Sequence, residues 1–153
     1  MCDKAFHRLV SNINSTLDER LHSWVGDRLE DVSYEIWIDS EWSNDKDAKS
    51  VSGVFSALAG GNALATVAGS ATKQTSIATS TPEAEIVTAF TGLKANGVPA
   101  LELWETLLGR KPLHVQLYGG NEACLQMMKS GEYHTMRHLS RTQKIDIRFL
   151  HDQ

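Results

Sequence analysis

The feature that most constrains this chain is a change of texture at Ser80-Thr81-Pro82-Glu83. Upstream of it lie short β-rich runs separated by glycines; downstream the apolar residues take helical spacing. Val32-Ser33-Tyr34-Glu35-Ile36-Trp37-Ile38 is rich in β-formers and partly alternates, which predicts a strand. Val51 to Leu58 reads as a second strand closed by Gly60-Gly61. Ala63 to Val67 and Thr75 to Ala78 supply a third, bent at Gly69. At the change of texture, Ser80 or Thr81 can cap a helix whose first turn holds Pro82 and Glu83. Proline tolerates that position and an acid there suits the helix dipole. The helix is expected to continue from Ala84 to Lys94 and to break at Asn96-Gly97. Pro99 then starts another, Ala100 to Leu108, ended by Gly109. Leu113 to Tyr118 is a fourth strand, buried on both faces if it is central, and Gly119-Gly120 turns the chain into a helix from Asn121 to Lys129. Thr142 to Leu150 reads as helical with Ile145 and Phe149 inward. Strands, helices, then a strand and helices predict a mixed α/β domain with helices packed on the sheet.

Ahead of the strands, Phe6, Leu9, Val10, Ile13 and Leu17 follow a three-four spacing, the mark of an amphipathic helix. Its partner surface is the core or a neighbour outside the domain. Leu21 to Val25 is a short extended candidate ended by the turn signal Gly26-Asp27. At 153 residues the chain fits one domain, large enough for a core without metal or disulfide staples. Its apolar runs fall far short of a membrane helix, and Met1-Cys2-Asp3-Lys4 opens no secretory signal. Two cysteines, Cys2 and Cys124, make no framework, so a reducing compartment, cytoplasmic or nuclear, is expected. A formal net charge of −4 argues against gripping nucleic acid by bulk electrostatics, though not against a local basic face.

Five blocks, in order, carry a family resemblance. They are Ile36-Trp37-Ile38-Asp39-Ser40-Glu41-Trp42; Lys49-Ser50-Val51-Ser52-Gly53-Val54-Phe55; Lys73-Gln74-Thr75 through Ser80-Thr81-Pro82-Glu83-Ala84-Glu85; Leu117-Tyr118-Gly119-Gly120-Asn121-Glu122-Ala123; and His138-Leu139-Ser140-Arg141-Thr142-Gln143-Lys144-Ile145-Asp146-Ile147-Arg148. Together they resemble the RNase H-like domain that follows reverse transcriptase in copia-type retrotransposon polyproteins. Residues 1–20, centred on Arg8-Leu9-Val10, resemble the helix that joins the two, which leaves 21–153 as the RNase H-like domain.

The resemblance implies hydrolysis of the RNA strand of an RNA–DNA hybrid with two magnesium ions. Two cations clamp the attacking and leaving oxygens of an in-line displacement, and magnesium takes hard oxygen ligands. That chemistry calls for clustered carboxylates, and the family uses four. Carried over by position, the first acid is Asp39 and the second Glu85, both metal ligands. The third place falls on Gly120, which has no ligand; the fourth belongs to a further strand and helix that the sequence, ending at Gln153, is expected to lack. Arg141, Lys144 and Arg148 share one helical face that can touch phosphates, and with Lys73 and Gln74 they are the candidate nucleic-acid contacts.

These residues also have ordinary readings. Asp39 can be a polar strand end, Glu85 a first-turn helix acid, and Arg141, Lys144 and Arg148 a solvated helix face. Asp146 sits outside the expected cluster, and Glu122 is turned about half a circle from Gly120 at a helix start. His134 and His138 lack companion ligands and read as surface residues; the four tryptophans read as packing. The expectation is an RNase H-like α/β domain, ancestrally a magnesium-dependent hybrid nuclease and now impaired. Two alternatives stay open. One is a non-catalytic module that binds protein, at the side left open, or nucleic acid. The other is a nuclease completed by a partner or silenced by an engineered Gly120.

Overall fold

The structure, a computed structural model, describes residues 2–42, 49–108 and 114–130. Its centre is β2 (Ser33–Glu41), whose alternation buries Val32, Tyr34, Ile36 and Ile38 on one face and leaves Glu35, Trp37 and Asp39 on the other. β3 (Val51–Gly60) and β4 (Ala63–Lys73) extend the sheet by antiparallel hairpins. A two-residue β1 (Trp24–Val25) caps the far edge, and β5 (Val115–Gly119) joins β2 in parallel, giving the order β1-β4-β3-β2-β5. The chain is therefore α/β with a five-stranded mixed, mostly antiparallel sheet.

Helix α2 (Thr81–Gly92) begins as its residues dictate: Ser80 is extended and its Oγ accepts from the Glu83 N–H, while the Glu83 carboxylate accepts from the Thr79 N–H and hydroxyl. This double cap fixes where the helix enters. Ile86, Ala89 and Leu93 then meet Tyr34, Ile36, Ile38 and Val54, and Cys124 and Met128 of α4 (Glu122–Ser130) complete the core.

Three local expectations are corrected. The Asn96-Gly97 pair does not break the helix: α2 runs through a π-helical turn, Leu93–Gly97, into α3 (Val98–Leu108). The reason is packing, since a Cβ on Gly97 would lie 3.2 Å from Ile36 Cδ1 and 3.1 Å from Leu93 Cδ2. The glycine lets the helix press against β2. Gly97→Val is expected to overpack this contact and cost about 1–3 kcal/mol, read as a lower urea midpoint at unchanged m-value. Next, β4 is not bent apart at Gly69 and no strand forms over 75–78, because β4 stays paired to β3 as far as Lys73. Finally, β5 is not buried on both faces; its residues alternate between half-buried and exposed, as suits a strand with one neighbour among the described residues. The expectations for Gly109, Leu113, His134, His138 and Thr142 to Leu150 lie outside the described residues.

Helix α1 (Cys2–Ser15) forms where its spacing places it, yet Phe6, Leu9, Val10 and Ile13 are all exposed. Among the described residues, no helix is long and apolar enough to cross a membrane.

Candidate functional site

The parallel pairing of β2 with β5 decides what meets at the sheet's end. Ile38 is in register with Gly119, so Asp39, still within β2 and paired to Gly53, comes one position on beside Gly120, where β5 has ended. Asp39 is exposed, and Gly120 is too. A Cβ on Gly120 would meet nothing within 4 Å, whereas one on Gly119 would lie 3.2 Å from Ile38 Cγ1. A side chain at 119 would thus press on Ile38, whereas 120 is an open place.

Glu85 reaches the same end from α2. It is only 5% exposed, and its Oε2 has no hydrogen-bond partner. Burial pushes its carboxyl above the ordinary carboxylate range, the Ser40 hydroxyl and N–H pull it back, and the charge of Asp39 adds to the rise. The signs therefore place Asp39, Ser40 and Glu85 in one electrostatic cluster. Because the folded pKa is raised, the native state holds its proton to higher pH than the unfolded chain does. Stability is lost as pH rises through the folded value. Glu85→Gln is accordingly expected to raise the melting temperature at pH 7, with the gain shrinking as pH falls towards 4.

Cys124 lies below this cluster, 1% exposed, its thiol pushed up to about 12 by burial and then by the charge of Glu85. A thiol held so far from its thiolate is a poor nucleophile. Alkylation at pH 8 followed by peptide mapping should leave Cys124 unmodified in the native protein and modify it after unfolding.

Gln74 has a different place from the one its motif suggested. It is 5% exposed, tucked beneath α2, where its Nε2 donates to Ser52 Oγ at 2.9 Å and the Ala84 carbonyl at 3.0 Å. Ser52 Oγ also lies 2.8 Å from Thr88 Oγ1. The amide ties β3 and α2 together and holds the turn that carries Glu85. Lys73 is exposed at the end of β4; Arg141, Lys144, Arg148 and Asp146 lie outside the described residues. Ser40, Ser52 and Thr88 were not singled out in the sequence. Thr88, a polar residue in the apolar run Ile86-Val87-Thr88-Ala89-Phe90, was the available signal.

Asp39 and Glu85 offer two carboxylates, one with an unpartnered buried oxygen, but Gly120 offers no donor. Among the described residues no group of three or more His, Cys, Asp or Glu side chains is placed to hold a metal ion. These donors do not fit a pair of magnesium ions, which needs carboxylates shared between both cations. Compared with protein-family models, curated proteins and solved structures, the chain matches none.

Proposed function

We propose that this chain is an RNase H-like domain of the copia retrotransposon type. Its ancestral activity is magnesium-dependent hydrolysis of RNA in RNA–DNA hybrids, and the loss of an acid at Gly120 leaves it inactive or feeble. The observation that carries the reading is the place of Asp39, set beside Gly120 by the β2–β5 register and close enough for its charge to act on Glu85. The ordered sequence blocks support it independently, as they assign these same positions. In this reading Asp39 and Glu85 are the surviving metal ligands, and each magnesium ion lacks part of its shell. A metal site short of a ligand loses affinity steeply.

Cleavage of a labelled RNA–DNA hybrid in magnesium and in manganese tests it. The protein as it stands is expected to cut at background, Gly120→Asp to cut measurably, and Asp39→Asn in that second protein to return cleavage to background. Cleavage by the unaltered protein that Asp39→Asn abolishes would overturn the inactive reading. If neither protein cuts, the non-catalytic binding module becomes the better account. The exposed aromatic side of the sheet favours that reading in its protein-binding form.

A further inference from the structure

The sheet face turned away from α2 holds an acid among aromatic and small residues. Glu35 lies there on β2, two residues after Ser33 and two before Trp37, and strand alternation puts all three, each half-buried, on that face. In the neighbouring row the register sets Ser33 beside Ala59, Ala59 beside Leu64 and Leu64 beside Trp24. Ala59 is the small member of that row, and Gly60 and Gly61 follow it. Between Trp24 and Trp37 the face therefore sinks into a recess of about 510 Å³ that Glu35 also lines. That volume is ordinary for a small-ligand cleft. Its walls are held in place: Trp37 stacks on Tyr118 at 5.6 Å and meets Phe55 at 5.5 Å, while Ser33 Oγ donates to Glu35 Oε1 at 3.1 Å. None of the residues lining the recess is basic, and among the described residues Glu35 has no ion-pair partner. Its charge reaches Tyr118, whose phenol is pushed up by desolvation and then by Glu35. A carboxylate set among aromatic walls without a counter-charge favours a cation and repels phosphate.

We propose that this recess binds an arginine side chain presented by a partner protein. The guanidinium meets the Glu35 carboxylate beside Trp37, the aliphatic stem lies over Ala59 and Leu64, and the residues flanking the arginine rest against Trp24. From β2 to β1 is three strand spacings, about 14 Å, which gives room for head, stem and main chain in line. Arginine suits the site better than lysine. Its flat, weakly hydrated head takes a carboxylate through two hydrogen bonds and lies against aromatic rings, whereas an ammonium keeps its water. A polypeptide suits it better than a free guanidinium compound because the rim is apolar. Trp24 is 50% exposed and Leu64 39%, and only the neighbours of an arginine in a chain can bury them.

Heteronuclear NMR on the full chain, titrated with the blocked tripeptide Ala-Arg-Ala, tests this. The Trp24 indole N–H, identified by its absence from Trp24→Phe, is expected to move with a midpoint of about 1 mM, ordinary for so small a ligand. The tripeptide with citrulline in place of arginine keeps the shape without the charge and should bind at least about tenfold more weakly. The lysine tripeptide should bind about threefold more weakly or worse. Glu35→Gln should weaken the arginine tripeptide by about tenfold or more. The melting temperature of that variant alone should be unchanged, since the amide oxygen still accepts from Ser33. A Trp24 signal that stays in place up to about 20 mM peptide overturns the proposal. Equal binding of the citrulline peptide overturns it too, since the recess would then read shape and not charge. So does unchanged binding by Glu35→Gln, which would put the cation elsewhere. A Glu35→Gln protein that melts several degrees lower without any peptide overturns it in favour of a cation of the chain's own already seated on Glu35. Hybrid cleavage plays no part in any of these readings.

Discussion

Replacing Gly120 with aspartate is expected to turn a protein whose melting temperature ignores magnesium into one that magnesium stabilises. The substitution itself meets no steric obstacle, because a Cβ at 120 has nothing within 4 Å. It places a third carboxylate beside Asp39, across the parallel register of β2 and β5, and Asp39 already acts on Glu85. Without metal, three acids repel and Glu85 is driven further towards its protonated form. The variant should therefore melt below the wild type at pH 7 in chelator. With magnesium the repulsion becomes affinity, and a ligand at a hundred times its dissociation constant stabilises by about 2.7 kcal/mol. For a domain of this size that is about 5–10 °C, easily resolved by calorimetry. The wild type, with two carboxylates and glycine at the third place, should shift by less than a degree or so on the same scale. Equal magnesium shifts in both proteins would show that position 120 does not belong to a cation site. This reading of the site does not depend on whether any hybrid is cut.

Gln74→Ala is expected to unfold the domain more readily rather than merely to weaken a surface contact. The side chain is buried and its amide donates to Ser52 Oγ and the Ala84 carbonyl, while its own N–H donates to the Ser50 carbonyl. Removing the amide takes one donor from Ser52 Oγ and one from the Ala84 carbonyl, which keeps the Thr88 hydroxyl at 2.9 Å, and loosens the Ser52–Thr88 pair in a buried site. Each of the two lost buried hydrogen bonds costs about 0.5–1.5 kcal/mol, and the lost side-chain volume adds to it. A total of about 3 kcal/mol is expected, or a melting temperature lower by about 6–12 °C. Because the amide also seats the turn that carries Glu85, the variant should blur the pH dependence that Glu85 contributes. A Gln74→Ala protein as stable as the wild type would return Gln74 to the surface role that its motif suggested.

Much of the fold was legible in the chain itself, and the reason is that the signals were local. Alternation over Val32 to Ile38 buries one side of a strand wherever that strand is put. Ser80, Pro82 and Glu83 start a helix through bonds made within four residues, as the observed cap does. The spacing of Phe6 to Ile13 likewise forms its helix, and the acids at 39 and 85 stand out by the sequence blocks that hold them. What periodicity could not supply was which distant residue each of these would touch. Gly97 reads as a helix breaker until Ile36, far away in the chain, is packed against it. Gln74 reads as a candidate nucleic-acid contact until α2 closes over it. Asp39 meets Gly120 only because β5 joins β2 in parallel, and it acts on Glu85 only because α2 packs on β2. Sequence alone determined most of the strands and helices and which residue types stand at the candidate site, though not the unbroken helix across Gly97 or the extent of β4. The tertiary structure decided which faces are covered, which glycines are required by contact, and which acids share one field, because those depend on pairings between segments that no local pattern encodes.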